Sequence, residues 1–295
     1  MSPDESSADW FHEEYKGVSR LGLKLRRHLH SERSEYQKID VYDTEFFGRV
    51  LTLDGLIMFS ERDEFVYHEM LVHVPLLSQP APRDVLIIGG GDCGCAREVL
   101  KHPSIERVVQ CDIDERVTRV CEEYFEWTAR VARDSRCELL FADGIEFVGE
   151  HENSFDLVIV DSTDPIGPAV GLFHRDFYTK VRRALKPGGV VCAQSESPHW
   201  DPPLVGRIRA ELSAVFPKTA AYLGHIPTYP SGTWSWSYAS VDRAHDDEFD
   251  EKRAAMIDAT TVYYNRELQT ASFALPNFVR EALEGKNRFA RFGPQ

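Results

Sequence analysis

The sequence predicts an α/β protein in two parts: a small N-terminal antiparallel β-domain, then a larger domain on a seven-stranded, mostly parallel sheet. Three observations carry this. Between Glu35 and Glu61, short alternating runs follow one another with turn residues between them and no helical pattern. From Asp84 onward, apolar strands alternate with helical stretches, which implies a parallel sheet covered on both faces. The first of those strands, Val85-Leu-Ile-Ile88, runs into Gly89, Gly91 and Gly94. That is the G-x-G-x-x-G spacing of a strand–turn–helix nucleotide site, where glycines make the tight turn, admit a ligand to the backbone and let helix pack on strand.

Taken in order, residues 1–30 read as a short lead-in and a strand or hairpin, with the basic run Lys24-Leu-Arg-Arg-His28 as a solvated face. Strands follow at Tyr36–Tyr42, Gly48–Leu53 and Ile57–Phe59, parted by turns at Glu45–Gly48 and Asp54-Gly55. Glu64–Leu77 is helical, and Phe65, Tyr67, His68, Leu71, Val72 and Val74 wrap most of its surface, so it is expected to be buried between the two parts. Pro80 and Pro82 mark a linker. The division expected is 1–75 for the β-domain with its connecting helix and 76–295 for the larger domain.

In that domain, parallel strands are expected at Val85–Gly89, Arg107–Asp112, Cys137–Asp143, Phe155–Asp161 and Gly189–Ser195, with helices near 94–102, 115–127, 144–150 and 174–186. After a helix at 203–215 come strands Thr219–His225 and Thr233–Ser240. The segment Pro227-Thr-Tyr-Pro-Ser-Gly232 between them is too short for a crossover, so this closing pair is antiparallel. Seven strands in this pattern are a methyltransferase-type arrangement rather than a dehydrogenase one. Asp242–Glu251 reads as an acidic loop and the tail after Gly285 as loose.

A net charge of −14 over 295 residues argues against a nucleic-acid surface and is compatible with a small cationic substrate. No stretch approaches 18 apolar residues, so no membrane span is expected, and polar, acidic Met1–Asp9 does not read as an export signal. The six cysteines have neither a C-x-x-C pair nor matching histidine spacing. They read as reduced, mostly buried thiols of a cytoplasmic protein, with no metal site.

Ligands of an open α/β sheet bind at the carboxyl ends of its strands. Those ends carry a row of acids: Asp92, Asp112 with Asp114, Asp143, Asp161 with Asp164, and Glu196. Any one could be a helix cap, but a cap needs only one small polar residue per loop. Such a row repels itself unless a cation and hydrogen-bond donors fill the crevice. The ligand should therefore be positively charged and rich in hydroxyl or amino groups. The loop Asp161-Ser-Thr-Asp-Pro-Ile-Gly-Pro-Ala-Val-Gly171, with its prolines and glycines, reads as a partly rigid lid leading to a helix at Phe173.

Ordered motifs along the chain then point to a family. They include Tyr36-Gln37, Leu53-Asp-Gly55, Arg62-Asp-Glu-Phe-Val-Tyr-His-Glu69, Ile88-Gly-Gly-Gly-Asp92, Arg97-Glu98, Ala142-Asp-Gly144, Val160-Asp-Ser-Thr-Asp-Pro165, Gln194-Ser-Glu196, Pro227-Thr-Tyr-Pro-Ser-Gly232 and Ala274-Leu-Pro276. From about Trp10 to Leu283 the chain resembles the spermidine synthases, polyamine aminopropyltransferases that use decarboxylated S-adenosylmethionine as co-substrate and hold no tightly bound cofactor. The resemblance implies a class I methyltransferase-like Rossmann domain behind an N-terminal β-domain, a small-molecule polyamine substrate, and a homodimer or homotetramer.

Residue by residue, it implies that Gln37, Asp92, Asp112, Ile113, Asp143, Gly144 and Pro168 bind the donor. Gln37 lies at the sulfur and ribose, Asp112 on the ribose hydroxyls, Asp143 and Gly144 at the adenine. Asp92 holds the aminopropyl amine. Tyr67, His68, Asp92, Asp161, Ser162, Thr163, Asp164, Gln194, Glu196 and Tyr229 bind the diamine, and Asp161 accepts the proton.

The chemistry asks for such groups. The attacking amine must be neutral, yet an alkylammonium has a pKa near ~10.4. Asp161 serves as base, Tyr67 and Tyr229 exclude water, Asp164 and Glu196 hold the remote ammonium, and alignment supplies the larger part of catalysis. Two positions depart from the family: Cys93 stands where it has Gly, and Asp112 where Glu is common. Cys93 is expected either to pack with negative φ or, by adding bulk at the amino-acid end of the nucleoside, to alter donor preference. The alternatives are a transferase on this fold using intact S-adenosylmethionine (putrescine N-methylation or carboxyaminopropyl transfer), a dinucleotide-dependent oxidoreductase, or a non-catalytic polyamine binder.

Overall fold

The structure, a computed structural model, describes residues 9–165, 167–247 and 251–292. Strands β1 (Trp10–Tyr15), β2 (Ser19–Arg33), β3 (Lys38–Thr44), β4 (Arg49–Leu53) and β5 (Leu56–Ser60) form a five-stranded antiparallel sheet in chain order. Asp54 and Gly55 join β4 to β5 with φ of 49° and 83°, both positive, as a tight hairpin needs. The basic run on β2 is exposed, and Lys24 pairs with Glu45 just past the end of β3.

Helix α1 (Glu64–Leu77) is buried nearly all round, its apolar residues covered on every side and Glu64, His68, Glu69 and His73 buried among them. Met70, Leu71, Val72 and Val74 are fully buried in one core with Val85 and Ile87 of β6 (Asp84–Gly89) and Leu157 and Ile159 of β9 (Phe155–Asp161).

The second sheet also contains β7 (Arg107–Asp112), β8 (Cys137–Phe141), β10 (Leu185–Gln194), β11 (Lys218–His225) and β12 (Thr233–Ser240), in the order β11-β12-β10-β9-β6-β7-β8. Five strands are parallel, as expected. The closing pair differs in detail: β12 lies between β10 and β11 and is antiparallel to both, so β11 itself runs with the parallel set. The short connection dictated the antiparallel pairing but not which strand of the pair would sit inside.

Helices α2 (Gly94–Leu100), α5 (Gly144–Gly149), α6 (Arg175–Ala184) and α7 (Pro202–Ser213) fall where expected. The stretch expected as one helix at 115–127 is instead α3 (Glu115–Tyr124) and α4 (Glu126–Val131), broken at extended Phe125. That ring is buried against Phe59 and Trp127, with centroids 4.7 and 5.0 Å away, and this packing outweighs helical continuity. The lid continues as a 3-10 turn, Gly167–Phe173, before α6. Helices α8 (Glu251–Asp258), α9 (Arg266–Ala271) and α10 (Asn277–Leu283) were not expected. Part of the acidic loop, 248–250, lies outside the described residues. The tail is not loose over its described part: Phe289 packs on His199 and Phe278, and Arg288 pairs with Glu281.

Strand order reverses at β6: the chain passes to β7 and β8 on one side, then to β9 and β10 on the other. Register sets Gly89 opposite Asp161, so the ends of β6 and β9 open one crevice at the switch point.

Cys93 corrects one expectation. Its φ is 63°, not negative, and its side chain is fully buried in the core beneath α2 rather than lining the crevice. A left-handed non-glycine residue costs about 1–2 kcal/mol, which the packing of the thiol offsets. Cys93→Gly is therefore expected to shift Tm by less than about 3 °C and to leave activity and donor preference unchanged. Thermal unfolding and rates with alternative donors check this.

Candidate active site

A cavity of 310 Å³ lies between the carboxyl ends of β6, β7 and β9 and the inner face of the N-terminal sheet. A second, of 290 Å³, continues from it under the β1–β2 hairpin, and the two share Leu56, Met58, Tyr67, Ser162, Thr163, Asp164 and Tyr229. Gln37, His68, Asp92, Asp112, Ile113, Asp143, Gly144 and Asp161 line the first; Gln194 and Glu196 line the second. Every site residue named from the sequence is thus brought to one continuous space except Pro168, whose side chain lies outside the described residues.

At one end, Asp112 accepts the Asp114 N–H at 2.8 Å. Burial pushes its pKa up to about 6 against that hydrogen bond, with Asp114 and Asp161 adding repulsion. Asp114 in turn accepts Ser34 Oγ at 2.6 Å and Gln37 Nε2 at 3.0 Å, tying the N-terminal sheet to the end of β7. Asp114 caps α3 and Asp143 caps α5 through Ile145 N at 2.7 Å. Helix capping therefore does explain part of the acidic row, while Asp112 and Asp143 also face the cavity.

Asp161 lines the first cavity beside Tyr67 and Ser162, which line both. Tyr67 Oη donates to its Oδ1 at 2.7 Å, while buried Oδ2 has no nitrogen or oxygen donor. Burial raises the Asp161 pKa, Asp92 adds to this, and His68 and the Tyr67 hydrogen bond oppose it. The glycines after β6, Gly90 between the fingerprint positions as well as Gly94, make room for these groups. A Cβ on Gly90 (φ 65°) would stand 2.5 Å from Asp161 Oδ2, and one on Gly94 would stand 2.3 Å from the His68 ring. The third glycine thus seats a histidine of α1, where close packing of helix on strand was expected.

His68 is buried between two carboxylates, with Nδ1 2.6 Å from Glu64 and Nε2 3.3 Å from Asp92. Burial alone would lower its pKa, but Asp92 and Glu64 push it up to about 10, so it is an imidazolium at neutral pH. Arg97 grips Glu64 with two hydrogen bonds of 2.9 and 2.7 Å. Glu64 carries a signal the sequence reading passed over: it lies one helical turn before His68, on the same face.

In the second cavity Glu196 is 2% exposed, has φ 68°, and leaves buried Oε1 without a partner. Burial and the charge of Asp164 hold its pKa well above the ordinary range. Gln194 spans from β10 to the lid, donating to the Ser162 and Thr163 carbonyls at 3.3 and 3.4 Å. Sequence reasoning missed Glu13, Tyr15 and Asp201 here. Glu13 is 5% exposed and accepts the Ile57 N–H at 2.8 Å; burial pushes its pKa up to about 7. The signal was present: strand alternation puts Glu13 on the face of buried Phe11. Asp201 is paired with Lys16 at 2.8 Å.

The space therefore offers two unpartnered carboxylate oxygens in separate compartments, an aromatic wall, and an acid at a strand end suited to ribose.

Known proteins resemble the chain over most of its length. Residues 64–249 match the family model for the spermine/spermidine synthase domain, and residues 9–61 match that for the spermidine synthase tetramerisation domain. The polyamine aminopropyltransferase of Moorella thermoacetica is 47% identical over 276 residues, covering 93% of this chain and 96% of that protein. That of Thermoanaerobacter sp. (strain X514) is 46% identical over 275 residues, covering 93% and 98%. Two crystal structures are close in fold. A spermidine synthase in complex with the transition state analogue AdoDATO has a TM-score of 0.92 at 41% identity, covering 96% of this chain and 98% of that one. The spermidine synthase from Thermotoga maritima has a TM-score of 0.89 at 42% identity, covering 93% and 94%. Fold, cavity and sequence agree: the chain belongs to the spermine/spermidine synthase family.

Proposed function

We propose that this chain transfers the aminopropyl group of decarboxylated S-adenosylmethionine to a diamine, putrescine giving spermidine, with methylthioadenosine as second product. The observation that carries the reading is Asp161 Oδ2, buried and without a nitrogen or oxygen donor beside Tyr67 and Ser162, which line both cavities. An amine nitrogen seated there faces the methylene beside the sulfonium and has a base in reach.

Asp112 takes the ribose hydroxyls, Gln37 and Ile113 flank the ribose, and Asp143 with Gly144 takes the adenine. Asp92, backed by His68, takes the donor's ammonium. As the N–C bond forms and the C–S bond breaks, the new ammonium loses its proton to Asp161. Tyr67 fixes that carboxylate and Tyr229 walls off water, while Ser162 and Thr163 present the lid backbone. Asp164 and Glu196, on the frame that Gln194 holds, bind the remote ammonium. An intact donor would bring its own carboxylate against Asp92.

The match to a tetramerisation domain over residues 9–61 supports an oligomer, and we take it to be a homodimer or homotetramer in the cytoplasm. No helix among the described residues is long and apolar enough to cross a membrane.

Incubation with decarboxylated donor and a panel of diamines, with products identified by mass, should yield spermidine and methylthioadenosine from putrescine. Absence of an aminopropylated product with every diamine would overturn the proposal.

Glu13 gives a pH test. Its carboxyl is neutral below about 7 and ionised above, and only the ionised form attracts the remote ammonium. The putrescine KM should therefore fall several-fold from pH 6 to pH 8. Glu13→Gln should have a higher KM at pH 8 and a smaller fall between pH 6 and pH 8, the remainder coming from Glu196, Asp161 and the amine's own ionisation.

A further inference from the structure

We propose that His68, Cys95 and Asp161 form a binding site for a thiophilic divalent ion of the zinc class, and that the ion inhibits the enzyme by taking the place of the attacking amine. A ring nitrogen of His68, Cys95 Sγ and a carboxylate oxygen of Asp161 all lie within 4.8 Å of one another, and all three positions are shielded from solvent. A tetrahedral zinc-like ion, ~2.3 Å from sulfur and ~2.0 Å from nitrogen, holds such ligands about 3.5 Å apart. The set therefore closes by little more than about an ångström, which side-chain rotation supplies.

Three further features suit an ion. Glu64 engages His68 Nδ1 at 2.6 Å and is itself gripped by Arg97, which leaves Nε2 for the metal. A carboxylate on the far nitrogen is the usual support of a metal-bound histidine. Asp92 Oδ1, 3.3 Å from Nε2, stands where a fourth ligand is needed. The Cys95 thiol faces Asp161, and a sulfur–imidazole–carboxylate set selects zinc-like ions over magnesium or calcium. Binding releases the Nε2 proton of His68 and the thiol proton of Cys95. Spacing along the chain hid the site, because its ligands come from α1, the first turn of α2 and the end of β9.

The binding step stands on this geometry; the inhibition rests on the aminopropyl-transfer reading. Cobalt(II) titrated into the ligand-free enzyme should give a thiolate-to-cobalt charge-transfer band at one ion per chain, bleached by zinc. Methylthioadenosine with putrescine should weaken cobalt binding at least tenfold. Cys95→Val, or Cys95→Ala if the first does not fold, should lose the band. Its residual activity should resist zinc at least thirtyfold better than wild type, each relative to its own uninhibited rate. No band in wild type, a band that survives loss of Cys95, or a band indifferent to substrates would overturn the site. A Cys95-dependent band without zinc inhibition would overturn the inhibitory role while leaving the site.

Discussion

Asp161→Asn should lower turnover by about 10²- to 10⁴-fold, the range associated with a positioned general base, while methylthioadenosine binds within about threefold of wild type. The substitution preserves shape and the Oδ1 acceptor that Tyr67 uses at 2.7 Å. What it removes is the basic oxygen, Oδ2. Single-turnover rates and equilibrium binding of the nucleoside separate the two effects. A parallel loss of rate and affinity would make Asp161 a structural or donor-binding residue instead.

Asp92→Asn should act on the donor. A buried hydrogen bond to a charged group contributes about 1.5–3 kcal/mol, so the KM for the decarboxylated donor should rise roughly 10- to 100-fold, with a much smaller change for putrescine. Asparagine retains an acceptor for the Gly94 N–H, now 2.6 Å from Oδ1, so α2 keeps its first turn. The variant also removes one of the two carboxylates that hold His68 charged. A rise confined to the acceptor's KM would place Asp92 in the diamine compartment.

How much of this was legible in the sequence depends on the range of the forces involved. The five parallel strands were readable because continuous apolar runs such as Val85–Ile88 and Leu157–Val160 have to be buried on both faces. The acids at their ends were readable because strand ends converge in this fold. The insertion of β12 between β10 and β11 was not, since a short connection specifies pairing and not position. Helices α8 to α10 were missed because α9 and α10 are short and α8 abuts an acidic run. Cys95 matters through contacts between distant elements, which local patterns do not report, whereas Glu13 and Glu64 carried local signals, strand alternation with Phe11 and helical spacing to His68, that were passed over. Cys93 shows the reverse case: a departure from the family motif, conspicuous in the sequence, whose side chain turns into the core.

On the proposed function, the donor ends in a bare ammonium beside Asp92. The most direct measurement is the ratio of nucleoside product formation rates (methylthioadenosine for aminopropyl or carboxyaminopropyl transfer, S-adenosylhomocysteine for methyl transfer), at equal subsaturating concentrations of decarboxylated and intact S-adenosylmethionine with putrescine as acceptor. Like-charge contact in a desolvated site costs several kcal/mol, so the decarboxylated donor should react roughly a thousandfold faster. Comparable rates, or turnover with the intact donor alone, would contradict the account.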